Sequence, residues 1–187
     1  MNNLTILIPC SEEDELVELS INENYGILSK YPIVVVDKKG GDRYIFFNQV
    51  GNMNVKYFYQ DSSFWMAREF GLDFVRTKYV LCLDVDTILP PLYIEKAIEV
   101  LESRPDVACV AINYESPNKQ SHLAFGTSIW RTDLLRELYD WRLERNLKCE
   151  CRYMWDKVES RGMKVETLPM EAKHLRVKRI RGRNNVQ

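Results

Sequence analysis

Apolar positions along the chain fall into short dense runs separated by charged or breaker-rich stretches, the spacing of alternating strands and helices. Leu4-Thr5-Ile6-Leu7-Ile8-Pro9 reads as a first strand. Ser11 then supplies an N-cap, and Glu12, Glu13 and Asp14 an acidic first turn, for a helix running towards Lys30. Ile33-Val34-Val35-Val36-Asp37 is a second strand whose unbroken β-branched run calls for burial on both faces, and Lys38 to Asp42 is a turn. Val55 to Tyr59 forms a third strand, Asp61-Ser62-Ser63 caps a helix to about Thr77, and the run from Lys78 to Leu83 is another buried strand. Pro90-Pro91 opens a helix with Ile94, Ala97, Ile98 and Leu101 at helical spacing, and Val107 to Ile112 returns to strand. Strands alternating with helices predict an α/β fold with a parallel sheet and right-handed crossovers.

After Tyr114 the pattern changes. Glu115 to Ser121 is polar and breaker-rich and reads as a mobile loop, and Leu123 to Trp130 is a strand or extended segment. Arg131 to Leu147 and Cys151 to Arg161 read as helices, Gly162 as the C′ residue of the second, and Lys164 to Pro169 as a last strand.

Composition adds that this is an ordinary globular chain: 187 residues, 45% hydrophobic and 28% charged, enough for one domain with a real core. No apolar run has the length of a membrane span and no secretory leader is visible, so the expected location is cytoplasmic, with peripheral membrane association as the alternative. Cys10, Cys82, Cys109, Cys149 and Cys151 show no C-x-x-C spacing, which points away from a disulfide framework and a zinc site. The net charge of −1 hides an asymmetry: Ala172 to Gln187 carries Lys173, Arg176, Lys178, Arg179, Arg181 and Arg183 without an acidic residue. Such a stretch suits a diphosphate, an anionic membrane surface or nucleic acid, or is a solvated chain end.

The chemistry concentrates where the strand from Lys78 ends in Asp84-Val85-Asp86. Ligands of parallel sheets gather beyond the carboxyl ends of the strands, and two hard oxygen ligands there suit Mg²⁺ or Mn²⁺ with substrate phosphates completing the shell; a merely polar strand exit is the alternative.

Strands ending in Pro9 and Asp37, a helix containing Ala67-Arg68-Glu69-Phe70-Gly71, a strand ending in Asp84-Val85-Asp86, and Glu150 a dozen residues before Gly162 together resemble the GT-A glycosyltransferases of family 2. The resemblance implies a single-domain, Rossmann-like, mostly parallel sheet flanked by helices over residues 1–171, with 172–187 as a basic tail. It implies a metal-dependent, inverting transfer of a sugar from a nucleotide-diphosphate sugar to a hydroxyl of a glycan, lipid or protein acceptor, with Mn²⁺ or Mg²⁺ as cofactor and no nucleic acid as partner. Pro9, Cys10, Ser11, Asp37, Arg68, Asp84, Val85, Asp86 and Arg176 would bind the nucleotide sugar. Asp37 would accept the imide N–H of the base, Asp84 would face the ribose, and Asp86, with Asp84 and His174, would hold the metal. Glu150 would be the general base, with Asp156 as its rival, and a retaining mechanism follows if neither is in place. Trp130, Trp155 and Phe125 offer apolar faces to a sugar ring or belong to the core. Three positions depart from the family pattern: Lys38 stands where an aspartate is frequent, Glu69 where asparagine is usual, and Cys151 where a second acidic residue follows Glu150.

Two other readings share some residues. Leu81 to Thr87 fits the first motif of haloacid-dehalogenase-like phosphatases, with Asp84 as nucleophile and Asp86 as acid/base, although that motif normally lies near the chain start. A non-enzymatic module that binds nucleic acid through the basic tail ranks third, because no recognised nucleic-acid motif is present.

Overall fold

The computed structural model describes residues 3–11, 14–49, 51, 53–114, 124–140, 142 and 150–175. Its strands are β1 (Leu4–Cys10), β2 (Ile33–Asp37), β3 (Val55–Tyr59), β4 (Tyr79–Leu83), β5 (Thr87–Ile88), β6 (Val107–Tyr114), β7 (Thr127–Arg131) and β8 (Lys164–His174). The helices are α1 (Asp14–Glu23), α2 (Tyr25–Leu28), α3 (Asp42–Gln49), α4 (Phe64–Leu72), α5 (Tyr93–Ser103), α6 (Thr132–Leu138) and α7 (Glu150–Ser160). Among the described residues the strands form one eight-stranded sheet in the order β3-β2-β1-β4-β7-β6-β8-β5. The pairs β3-β2, β2-β1, β1-β4 and β6-β8 are parallel, whereas β4-β7, β7-β6 and β8-β5 are antiparallel. The mixed half begins where β7 is inserted beside β4.

Both faces of the central strands are covered, which explains their unbroken apolar sequences. Leu4, Ile6 and Ile8 of β1, Ile33 and Val35 of β2, and Tyr79, Leu81 and Leu83 of β4 face one core with Val17, Ile21, Leu28, Phe47, Ala97 and Leu101 from α1, α2, α3 and α5. The alternate residues Leu7, Val34, Val36, Val80 and Cys82 face a second core with Ala67, Leu72, Leu135, Leu138, Met154 and Val158 from α4, α6 and α7. Cys10, Cys82 and Cys109 are buried free thiols. No described helix is long and apolar enough to cross a membrane.

Several element boundaries differ from the sequence expectation, each for a local reason. The helix after Ser63 ends at Leu72 and not near Thr77, because Arg136 donates to the carbonyls of Leu72 and Val75 while Arg76 donates to those of Asp73 and Val75. The first helical stretch breaks at Asn24 into α1 and α2, since the Asn24 side chain is directed at β5, donating to the Thr87 carbonyl at 2.7 Å and accepting from the Leu89 amide at 2.9 Å. The Pro90-Pro91 pair does not itself start a helix: Pro91 disfavours the helical region for Pro90, and the chain passes through a left-handed Leu92 (φ 61°) before α5. Helix α3 was not expected: the predicted turn from Lys38 to Asp42 reaches only its first residue. Strand β8 continues five residues past Pro169, accommodating the proline in an irregularity opposite Ala111 and Asn113 of β6, so Ala172, Lys173 and His174 belong to the sheet. The expected helix from Arg131 is realised as α6 only to Leu138; residues 141 and 143–149, together with Glu12, Glu13, the loop from Glu115 to Ser121, Leu123 and the tail from Arg176, lie outside the described residues.

Gly71 lets α4 approach the sheet. A Cβ there would overlap Leu7 Cδ1 and lie 3.1 Å from Val36 Cγ2, both in the buried core. Alanine is the better helix former, but overpacking against two buried side chains outweighs that gain. Gly71→Ala is therefore expected to destabilise the fold by about 1–3 kcal/mol, lowering the melting temperature by roughly 2–4 °C per kcal/mol. Gly26→Ala in α2, where an added Cβ meets nothing, serves as the control and should leave the melting temperature level or slightly raised.

Candidate active site

The two carboxylates that end β4 diverge. Asp84 lies beyond Leu83, with its amide donating to the Gly126 carbonyl at 3.0 Å, and its carboxylate accepts from Arg68 Nη2 and, at 3.4 Å, from the Tyr114 hydroxyl. Arg68, on α4, is fully buried, and its Nη1 donates to Glu150 at the start of α7. The second Glu150 oxygen accepts from the Tyr139 hydroxyl. One guanidinium thus joins a strand end, a helix and a second helix start that are far apart in sequence. Burial works to lower the Arg68 pKa, but the Glu150 and Asp84 carboxylates outweigh it and hold the group charged. Burial, followed by the neighbouring Glu150 charge, keeps the Tyr139 phenol protonated well above its ordinary range, and burial with Asp84 does the same for Tyr114.

Asp86 turns the other way. Antiparallel pairing of β5 with β8 sets Thr87 against His174, the Leu175 amide donates to the Asp86 carbonyl at 2.8 Å, and His174 Nε2 comes to 3.5 Å from Asp86 Oδ2. His174 Nδ1 is buried without a hydrogen-bond partner, and the ring packs edge-on to Tyr114. Burial raises the Asp86 pKa; His174 lowers it and Asp84 raises it. Among the described residues no group of three or more His, Cys, Asp or Glu converges on one point. The Asp86 and His174 pair nevertheless fits a divalent ion in donor type: one carboxylate and one imidazole leave most of the coordination shell to water and phosphate oxygens, as Mg²⁺ and Mn²⁺ sites commonly do. Asp84 fits that shell less well, since its oxygens are directed to Arg68 and Tyr114.

At the other end of the strand edge, Cys10 and Asp37 are register partners at the tips of β1 and β2. Asp37 is completely buried, and its two oxygens accept from the Lys39 amide (3.1 Å), the Gly40 amide (3.1 Å), Arg43 Nη1 (2.9 Å) and the Tyr57 hydroxyl. Four donors occupy the roughly four lone-pair sites of a carboxylate. The carboxylate stands at the predicted strand end, where these donors tie it to the turn and to α3. Arg43 also donates to Asp14 Oδ1 at 2.6 Å and Cys10 Sγ at 3.1 Å. Burial, and then the Asp37 charge, pushes the Cys10 thiol up to about 12, so it stays a neutral thiol.

Of the remaining expected site residues, Pro9 is buried in β1, Ser11 is exposed just beyond it, and Val85 is buried between the two aspartates. Asp156 does not join Glu150; it pairs with Arg152 one helical turn back, at 2.9 Å and about half exposed. Arg176 lies outside the described residues. Trp130 is fully buried and donates to Ser128 Oγ, Phe125 packs over Arg68, and Trp155 donates to Glu159 along α7. Sequence reasoning missed Tyr114, Tyr139, Arg43, Tyr57 and Gly126. Only Gly126, a glycine within an otherwise bulky segment approaching the site, carried a readable signal.

The family model for glycosyl transferase family 2 matches residues 5–154, most of the chain, and the protein belongs to that family. Among solved structures, the chain is similar to the mannosyltransferase PcManGT from Pyrobaculum calidifontis in complex with GDP-Man and Mn²⁺, with a TM-score of 0.72, 16% identity, and coverage of 92% of this chain and 56% of that one. It is likewise similar to residues 1–349 of S. aureus TarS, with a TM-score of 0.70, 15% identity and coverage of 92% and 60%. TarS is also represented in complex with UDP and with UDP-GlcNAc. A 4-diphosphocytidyl-2C-methyl-D-erythritol synthase from Anaerococcus prevotii DSM 20548 shares the fold at a TM-score of 0.65 and 14% identity, covering 88% of this chain and 86% of that one. Comparison with curated proteins finds no match. The chain spans 56% and 60% of the lengths of the first two structures, and its architecture is the GT-A fold expected from the motif order. Family membership overturns the phosphatase alternative.

Gly126 is the point where the site has no room to vary. A Cβ there would overlap the Asp84 carboxylate itself. Gly126→Ala should displace Asp84 from Arg68 and cost about 1–3 kcal/mol in urea unfolding. A wild-type urea midpoint would show that the carboxylate is not held where the structure has it.

Proposed function

We propose that this chain carries the catalytic domain of a nucleotide-sugar-dependent glycosyltransferase of the hexosyltransferase kind. The observation that supports it most is that, in a family 2 chain, the end of β4 carries two separate pairings side by side: Asp84 joined through Arg68 to Glu150, and Asp86 next to His174. Asp86 and His174 would hold a divalent ion, Mn²⁺ or Mg²⁺. When bound, such an ion neutralises charge on the diphosphate leaving group. Asp84, pinned by Arg68 and Tyr114, faces the ribose, and the loop following Pro9 and Cys10 receives the base. Glu150 accepts the proton of an acceptor hydroxyl as its oxygen bonds to the anomeric carbon and the bond from that carbon to the diphosphate breaks, giving inversion. Asp156, turned towards Arg152, is not used. The donor chemistries to try first are the GDP-mannose and UDP-GlcNAc seen with the similar structures; the acceptor is a glycan, lipid or protein hydroxyl. The basic residues from Arg176 onward complement a diphosphate or an anionic surface in charge, and nucleic acid is not required as a partner.

Thermal denaturation with UDP, GDP, CDP and dTDP, each with and without Mn²⁺, tests the reading. At least one nucleotide should raise the melting temperature only when metal is present, because a ligand of the native state stabilises by mass action. Asp86→Asn should abolish that metal-dependent shift with the fold intact. Glu150→Gln should keep the shift and lower transfer on the order of 10²-fold or more. A shift independent of Mn²⁺, or retained in full by Asp86→Asn, would remove the metal from the scheme.

A further inference from the structure

The Arg68 side chain is 1% exposed, and its guanidinium lies between two rings, with Cζ 4.1 Å from the Phe64 centroid and 4.6 Å from that of Phe125. Nη1 is directed to Glu150, Nη2 to Asp84, and Nε is buried without a partner. The two carboxylates are fixed in turn from the far side, Glu150 by the Tyr139 hydroxyl and Asp84 by that of Tyr114. Tyr139 is wedged against Phe125 and Trp65, with ring centroids at 5.8 Å and 6.0 Å. A guanidinium enclosed in this way cannot turn to a diphosphate without leaving the two partly buried carboxylates unpaired, which is unfavourable. It can set the span between the anions, because its fork is planar and rigid where an ammonium is a point charge.

We infer that Arg68 is a positioning residue that holds Asp84, on the donor side, and Glu150, on the acceptor side, at one fixed separation, and that it does not itself contact the nucleotide sugar. This rests on the transferase reading above, and it assigns Arg68 a role different from the nucleotide contact that the family resemblance implies. Positional error between donor and base acts on the chemical step, while the donor's own contacts remain. The effect of loosening Arg68 should consequently fall mainly on kcat, with nucleotide affinity changed little because the Tyr114 hydroxyl still holds Asp84.

The test compares wild type with Arg68→Lys and Tyr139→Phe at a temperature well below each melting point. Mn²⁺-dependent binding of UDP and GDP is measured by calorimetry, and turnover as release of nucleoside diphosphate from UDP-GlcNAc and GDP-mannose. Arg68→Lys should change nucleotide Kd by less than about threefold and KM little, while lowering kcat on the order of 10²-fold. Adding Glu150→Gln to Arg68→Lys should then cost far less than Glu150→Gln alone costs, because a base already out of place has little left to lose. A rise in Kd and KM that accounts for the lost kcat/KM would make Arg68 a direct nucleotide ligand and overturn the inference. Additive losses, or wild-type kcat, would make it purely structural. If Arg68→Lys does not fold, Tyr139→Phe decides alone: kcat should fall several-fold at constant Kd, and unchanged kcat overturns the inference. Wild type that neither binds a nucleotide nor turns over a donor rejects the transferase reading itself, and the inference with it.

Discussion

A charged guanidinium buried between two aromatic rings is the constraint around which this site is organised. Such a group is tolerated only with its hydrogen bonds directed to opposite charge, since one unpaired buried ion costs several kcal/mol. Arg68 therefore requires Asp84 and Glu150 on either side of it, and they in turn require β4 to end at Asp84, α7 to begin at Glu150 and α4 to lie close on the sheet. Gly71 and Gly126 are the two positions that make the approach sterically feasible, one beneath the helix and one against the Asp84 carboxylate. Folding and site assembly are in this sense one event.

The opposite end of the strand edge repeats the device. Arg43, 5% exposed, joins Asp37 to Asp14 and leans on the Cys10 sulfur, so the tips of β1 and β2 and the start of α1 are tied through one guanidinium. Both arginines sit on short helices that pack against the sheet. The difference is exposure of the partner. The Asp37 side chain is wholly inside, whereas the Asp84 side chain keeps a quarter of its surface exposed.

What the sequence made legible follows from the same physics. Strands buried on both faces appear as unbroken apolar runs, so β1, β2, β4 and β6 and the positions of Asp37, Asp84 and Asp86 could be read directly. A cap within Asp61-Ser62-Ser63 was equally visible, and the Ser63 hydroxyl accepts from the Met66 amide. Illegible were features set by contacts distant in sequence. Helix α3 has a weakly patterned sequence, and its burial depends on Arg43 finding Asp37 and on Phe47 packing beneath Tyr57. The extension of β8 to His174 passes through a proline that argues for a strand end, and only pairing with β6 and β5 carries it further. Arg68 next to Glu69 looks like a solvated helical residue; its burial is visible only once Phe125 and Glu150 arrive from the other half of the chain.

That late half explains the divided duty of the two aspartates. In a purely parallel sheet the neighbour of β4 on its free side would bring another carboxyl end to the site, whereas here β7 runs antiparallel, entering beside the β4 carboxyl end at Thr127 and leaving from the opposite end at Arg131. The segment preceding β7 thus crosses directly over Asp84, placing Phe125 on Arg68 and Gly126 on the carboxylate. Strand β8, by contrast, is parallel to β6 and overshoots it, so its last residues reach β5 and set His174 beside Asp86. Asp84 is governed by a strand that arrives and Asp86 by a strand that departs. The intervening Val85, 2% exposed, keeps the two carboxylates on separate paths, one inward to a fixed cation and one towards the imidazole. The D-x-D sequence of this chain is accordingly not one bidentate unit but two residues with different partners, and the spacing of one residue is what allows that division.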